Sequence, residues 1–320
     1  MSERYSLSFL LRHEIDEIRY DRCIARSPQR LIYAFSWYLD AVSPGWEALI
    51  LGDYEWVMPL PVRRRFGVRA VLQPLFCHQL GVFGDGKTPD AGIIRRSTEA
   101  LRTHFRYVPA YHLNAACAPL LSGAAGSGPE TRTNHILDLN RPYETIRAGY
   151  SHGRKQELKH REALSTTIAD TDRVEPLFAL FLAYNTAGIG PIAPHAGATL
   201  LRLTDALRER GLLRVRVALR EGRVEAGCLL IPDENRVVHL FCAASPAGRQ
   251  SNVRTVILDG LIREYAGRPL VFDFESPEAA GPAAYNRSFG ALPERYARIR
   301  HNHLPGPVRW ANALRRSLFR

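Results

Sequence analysis

Near the end of this 320-residue chain, two carboxylates and a phenol follow one another closely: Asp273, Glu275 and Tyr285. The apolar run Leu270-Val271-Phe272 before them is too short for a helix and is bounded by Gly267 and Pro269, so it reads as a buried strand. Asp273 and Glu275 alternate with Phe272 and Phe274, which predicts that both carboxylates leave the strand on one face. Ser276-Pro277 breaks the strand, Ala283 to Phe289 reads as a short helix stopped by Gly290, and 296–300 returns as a strand. A carboxylate at a strand end can take a proton from an amine, and a phenol of ordinary pKa ~10 can protonate a departing anion. Two plainer roles stand beside these: an acid capping the next helix, and Tyr285 packed beneath Phe289. Asn286 and Arg287 are expected to be exposed and suited to an acidic or amide-bearing substrate.

Further binding candidates lie in the first half. Leu31 to Val42 reads as an aromatic helix in which Tyr33, Trp37 and Asp40 share a face, and Tyr33, Trp37, Tyr38 and Asp40 could line a half-wet pocket or form core. His78 and Gln79, at the end of an expected third strand 70–83, could face a ligand cleft between two halves.

The elements that must position these residues recur. In the first half a hairpin turning at Gly52-Asp53 is followed by a strand, a helix from Asp90 to Phe105 and another strand. In the second, a hairpin turning at Glu221-Gly222 leads to a strand, a helix from Asn252 to Tyr265 and the strand that ends in Asp273. Phe76-Cys77 then matches Phe241-Cys242. Two copies of one αβ unit is the predicted architecture: 1–140, 141–305 with a helical insertion at its start, and a basic tail 306–320. The tail suits either a membrane-surface helix or docking on the protein itself. In the insertion, Tyr150 to Leu164 reads as a basic helix in which Glu157 pairs with Arg161.

Composition sets the bounds. The chain is 46% hydrophobic and 23% charged with a net charge of +11, which describes a globular protein with a preference for anionic partners. Five scattered cysteines read as reduced thiols, pointing to the cytoplasm. Arg63-Arg64-Arg65, Arg154, Lys155, Lys159 and Arg161 are the candidates for nucleic-acid phosphates. No His or Cys spacing suits a zinc site, and there is no Walker loop, G-x-G-x-x-G or G-x-S-x-G.

The wording FDFES, then AYNRSFGA, then YARIR, together with IYAFSWYLDAV and QPLFCHQLGVF earlier, resembles the Fem-type branch of the tandem-GNAT acyltransferases across nearly the whole chain. That resemblance implies an α/β (α+β) fold of two GNAT-like repeats, each a mixed, mostly antiparallel sheet flanked by helices. It implies transfer of an acyl or aminoacyl group to an amine acceptor, small or lipid-linked, in the cell envelope or on a polysaccharide. Acyl-CoA or aminoacyl-tRNA would be co-substrate, with no permanently bound cofactor. Tyr285 falls where such enzymes place a general acid. The chain departs from the family at the pyrophosphate loop. Gly248, Arg249, Gln250, Ser251 and Asn252 occupy it, but the two later glycines are missing and side chains there would crowd a pyrophosphate. A GNAT scaffold that binds a ligand or partner without catalysis is the reading this departure leaves open.

Overall fold

A computed structural model describes residues 5–65, 67–121, 130–159, 166–184, 192–275 and 279–306. The chain divides into two compact units, Met1–Arg132 with Arg295–Arg320, and Thr133–Glu294.

The first unit runs β1 (Leu7–Leu11), α1 (Glu17–Arg26), α2 (Ser36–Val42), β2 (Glu47–Leu51), β3 (Trp56–Leu60), β4 (Val62–Arg65), β5 (Val68–Leu72), β6 (Phe83–Gly84), α3 (Ala91–His104) and β7 (Tyr107–Leu113). Strands β1-β2-β3-β6 form a small sheet. Every residue of β2 and β3 is buried, as a strand covered on both faces requires. Asp16 and Asp90 cap α1 and α3, accepting from Arg19 N at 3.1 Å and Ile93 N at 2.8 Å. Ile93, Ile94, Ser97, Thr98 and Leu101 then bury one stripe of α3.

The second unit holds β8 (Glu130–Asp138, from Thr133), α4 (Tyr143–Ala148), α5 (His152–Lys159), β9 (Thr167–Thr171), α6 (Glu175–Tyr184), α7 (Ala196–Glu209), β10 (Arg214–Arg220), β11 (Arg223–Pro232), β12 (Arg236–Ala244), α8 (Pro246–Gln250), α9 (Val253–Tyr265), β13 (Val271–Asp273), α10 (Ala280–Arg287) and the start of β14 (Leu292–Asn302). Its strands lie in the order β8-β13-β12-β11-β10-β9. The β10–β11 hairpin turns on Glu221 and Gly222, both at positive φ (50° and 75°), the backbone that a tight two-residue turn demands. Helix α9 packs on β10, β11 and β12, and α6 on β11 and β12. Phe272, Phe274, Phe289, Ile257 and Leu261 fill the core on the α9 side; fully burying one such side chain contributes roughly 1.5–3 kcal/mol.

The two units share a motif. In the first, β5 crosses through α3 to the parallel β7, with Ala70 opposite Tyr107. In the second, β12 crosses through α9 to the parallel β13, with Val237 opposite Phe272. Parallel neighbours need such a crossover, and a helix supplies it twice. Strand β14 gives Arg295–Asn302 to the first unit, where Ala297 pairs with Leu113.

Several sequence expectations change. The aromatic helix is broken: Ile32–Ala34 is a 3-10 turn, Phe35 is extended at ψ 146°, and only Ser36–Val42 is α-helical. Strand 70–83 stops at Leu72 and resumes at Phe83. Phe76 sits there at φ 60° while Phe241 lies in β12, so the Phe-Cys pairs are not equivalent. Within the basic stretch 150–164 the described residues form α5, His152–Lys159. Residues 160–165, with Arg161, and the tail 307–320 lie outside the described residues. Among the described residues no helix is long and apolar enough to cross a membrane.

Candidate functional site

The ladder between β12 and β13 covers only Arg236–Val238 against Val271–Asp273. Past it, the pairing of β12 with β11 jumps from Leu230–His239 to Leu229–Phe241, leaving Leu240 as an extra residue. Such a bulge bends a strand and re-aims its side chains. On the other side, Phe274 N still donates to His135 O of β8 at 3.1 Å, but Glu275 takes φ 43°. A non-glycine residue in that region is strained. The expected alternation of Asp273 and Glu275 on one face therefore ends with the strand.

Asp273 is 1% exposed and engaged at both oxygens. Oδ2 meets Arg236 Nη1 at 2.6 Å, while Oδ1 accepts from Asn134 Nδ2 at 2.8 Å and from Glu275 N at 2.9 Å. Glu294 closes the network, 3.0 Å from Arg236 Nη2 and 3.2 Å from Asn134 Nδ2. The geometry makes Asp273 a buried anchor that fixes the backbone of Glu275. Glu275 itself is half-buried.

Helix α10 carries Tyr285. Gly290, at φ 79°, ends this segment, and a Cβ there would stand 3.1 Å from Gly149 O, so that turn takes nothing larger without a shift. The Tyr285 ring has Arg254 Cζ 4.2 Å and Arg154 Cζ 4.3 Å from its centroid, and packs edge-on to Phe289 at 5.4 Å. Burial pushes the phenol above its ordinary pKa, with Arg254, Thr255 and Arg154 pulling part way back. The group stays a protonated acid at neutral pH. Its oxygen lies 3.4 Å from Thr255 Oγ1. Asn286 is buried rather than exposed, because its helix turns that face inward; Arg287 is exposed as expected. His135, 4% exposed, is pulled down by burial and then by Arg287, and its Nδ1 meets no hydrogen-bond partner among the described residues.

The expected pyrophosphate loop is a short helix. Ser245 caps α8, its Oγ accepting from Gly248 N at 2.9 Å. Arg249 N, Ser251 N and Asn252 N are also engaged, by the carbonyls of Ser245, Ala247 and Arg249 at 2.9–3.1 Å. These amides are spent inside α8 and its exit, so they form no open cradle for phosphate. Gln250 closes α8, and Asn252 stands at φ 54° before α9. Gly248 instead lets α8 approach β11 closely, since a Cβ there would stand 2.2 Å from Glu225 O. Gly248→Ala should therefore displace α8 from β11 and cost about 1–3 kcal/mol in urea unfolding, as overpacking does.

Most of the first-half candidates pack against their own neighbours. Tyr33 and Tyr38 are fully buried, meeting edge-on at 5.6 Å, and Tyr38 OH donates to Phe76 O. Trp37, half-buried, packs on Tyr38 and Phe35. Asp40 accepts from Arg12 Nε and Nη2, each at 2.7 Å, and from Trp46 Nε1 at 2.8 Å. Gln79 is 3% exposed, with Nε2 3.3 Å from His78 Nδ1. His78 packs against Tyr296 at 5.0 Å, as does His112 at 5.3 Å.

His112 has a pH consequence. Its Nδ1–H donates to His78 O at 2.9 Å, and burial, with His78, Arg298 and Arg132 nearby, lowers it from 6.5 to about 4. A group depressed on folding holds its full stability above the unfolded value. The loss starts as pH falls through 6.5 and is complete near 4, at most about 3 kcal/mol. His112→Gln should flatten the Tm-versus-pH curve across that window in thermal melts.

Sequence reasoning misses Arg154, Arg254 and Thr255 around the phenol and the Arg236–Asn134–Glu294 network. Arg154, a candidate for phosphate contacts by sequence, is 7% exposed. The signal available is small: Arg254 and Thr255 open α9 directly after the expected loop. Arg64 lies 3.7 Å from Glu47. All five cysteines are free and four are buried. No group of three or more His, Cys, Asp or Glu able to hold a metal ion occurs among the described residues.

A family model, the acetyltransferase (GNAT) domain, matches residues 147–287. The chain has the GNAT fold, mixed α/β with sheets flanked by helices, in a two-repeat architecture. It is similar to FemX, with a TM-score of 0.62 at 9% identity over 93% of this chain and 98% of that one. It is similar also to a tandem GNAT protein from the clavulanic acid biosynthesis pathway, with a TM-score of 0.54 at 11% identity over 94% and 100%. The C-terminal domain of a protein assigned as a lysylphosphatidylglycerol synthetase from Agrobacterium fabrum gives 0.54 at 12% identity over 90% and 91%. No curated protein matches the sequence.

Proposed function

We propose that the chain is a Fem-type acyl- or aminoacyltransferase that moves an acyl group from a thioester or a charged-tRNA ester to an amine. The observation that supports this most is Tyr285, a protonated phenol held between two arginines in the GNAT repeat. In this reading Tyr285 protonates the leaving sulfur or oxygen. Glu275 takes the proton of the attacking amine, and Asp273 positions Glu275 through its backbone N–H. Exposed Arg287 meets an anionic group of the acceptor, a small or lipid-linked amine of the cell envelope or a polysaccharide, reached from the cytoplasm. Likeness to FemX and to a lysylphosphatidylglycerol synthetase domain agrees with an aminoacyl donor.

The spent amides of α8 favour a donor whose phosphates are held elsewhere, hence the charged tRNA over CoA. The same observation supports a second reading, a GNAT scaffold that binds without catalysis. Titration with acetyl-CoA, longer acyl-CoAs and charged tRNA across a salt series separates them. Binding of tRNA alone, weakening steeply with salt, is the expected result. Saturable CoA binding would transfer the assignment to CoA, and binding of neither would favour the scaffold.

A further inference from the structure

The sequence pairs Glu157 with Arg161 on a solvated face. In the structure Glu157 lies against the phenol's own surroundings, while Arg161 is outside the described residues. Helix α5 brings Arg154 and Glu157 onto the first turn of α9. There Arg154 Nη1 donates to Thr255 Oγ1 at 2.7 Å and pairs with Glu157 Oε2. Thr255 Oγ1 donates in turn to Glu157 Oε2 at 3.2 Å, and lies 3.4 Å from Tyr285 OH. Arg154 is held from its other side by Ser288 Oγ, 2.9 Å from Nε, in the turn that follows α10. Three separate elements thus converge on one hydroxyl. Thr255 is 2% exposed, but the Glu157 side chain is 34% exposed. One end of this line is a half-buried phenol, the middle is the closed-off Thr255 hydroxyl, and the far end reaches water.

We propose that Thr255 and Glu157 are the proton channel of Tyr285, linking the phenol to solvent through two hydrogen bonds. The idea rests on the reading above in taking Tyr285 as the acid, and adds what that acid needs for a second turnover. When Tyr285 gives its O–H proton to the leaving sulfur or oxygen, a phenolate remains. The Thr255 hydroxyl proton moves to that phenolate, and Glu157, protonated by water, returns one to Thr255. The leaving group gains one proton, the amine releases one through Glu275, and every residue ends in its starting state. Arg154 and Arg254 favour the transient phenolate. The charged and titratable groups facing the phenol are these two arginines, Glu157 of α5 and Cys242 of β12. Thr255 and Glu157 act through Tyr285, so they are positioning residues.

The test uses the whole chain and needs no substrate. With tyrosine labelled at 13Cζ and the Tyr285 signal assigned by its loss in Tyr285→Phe, the hydroxyl exchange rate is read from the H/D isotope shift. Thr255→Val and Glu157→Gln should each slow exchange roughly tenfold, the effect expected from losing one hydrogen bond of the line. Thr255→Ser, which keeps the hydroxyl, should exchange as the wild type does. Unchanged exchange in either Thr255→Val or Glu157→Gln overturns the proposal. Equal slowing in Thr255→Ser overturns it too, in favour of packing around the ring. Transfer from acetyl-CoA or charged tRNA to benzylamine, assayed alongside, reports on the enzymatic reading separately, because exchange can slow in a protein that transfers nothing.

Discussion

Arg236→Met should lower the unfolding free energy by about 3–5 kcal/mol, the cost of leaving buried charges without their partner. The guanidinium lies between Asp273 and Glu294, at 2.6 Å and 3.0 Å, and the three side chains are 15%, 1% and 13% exposed. Burial works against charge on Arg236, but the two carboxylates more than offset it and hold the group protonated. With methionine in place, Asn134 is left bridging two anions with a neutral amide, and one of them must take up a proton or water must enter. Asp273→Asn should cost less, about 1–2 kcal/mol, because Arg236 keeps Glu294 and the amide oxygen keeps one acceptor. Urea unfolding followed by circular dichroism measures both. A loss below about 1 kcal/mol in Arg236→Met, the range of an ordinary surface change, would mean the network is not what ties β12, β13 and β8 together.

That network also shows where a sequence stops being readable. The β10–β11 turn, α3 and α9 are legible because their signals are local: Glu221-Gly222 between apolar runs, and apolar residues recurring at helical spacing. The repeated strand–helix–strand order follows from the same patterns. Asn134, Arg236, Asp273 and Glu294 meet only in the folded sheet, and nothing near Asp273 in sequence distinguishes a proton acceptor from an ion-pair anchor. Arg154 is the mirror case, a basic letter in a basic helix whose burial depends on Thr255 and Ser288 far along the chain. The break at Phe35 and the irregular run after Leu72 are illegible for another reason. Both are apolar enough to suit a regular element, and tertiary burial of Tyr33, Tyr38 and Gln79 overrides the local preference.

Tyr285→Phe should leave the fold intact and reduce acyl transfer by about 10²–10⁴-fold, the range that a positioned general acid supplies. The ring and its contacts with Arg154, Arg254 and Phe289 survive the change; only the hydroxyl beside Thr255 is lost. Stability should therefore move little while kcat falls and KM holds, the pattern of an interaction made in the transition state alone. The pH profile carries the sign. A phenol raised by burial remains an acid through neutral pH, so the wild-type rate should hold there and fall only as pH rises through a value above the ordinary one. Tyr285→Phe should lose that limb. Glu275→Gln should also lower the rate at neutral pH, by removing the acceptor of the amine's proton, without disturbing the Arg236 network beneath it. Steady-state rates with charged tRNA and with acetyl-CoA as donors decide the matter. If both variants transfer as the wild type does, the protonated phenol serves packing, and the two arginines around it belong to a binding surface rather than to a leaving-group site.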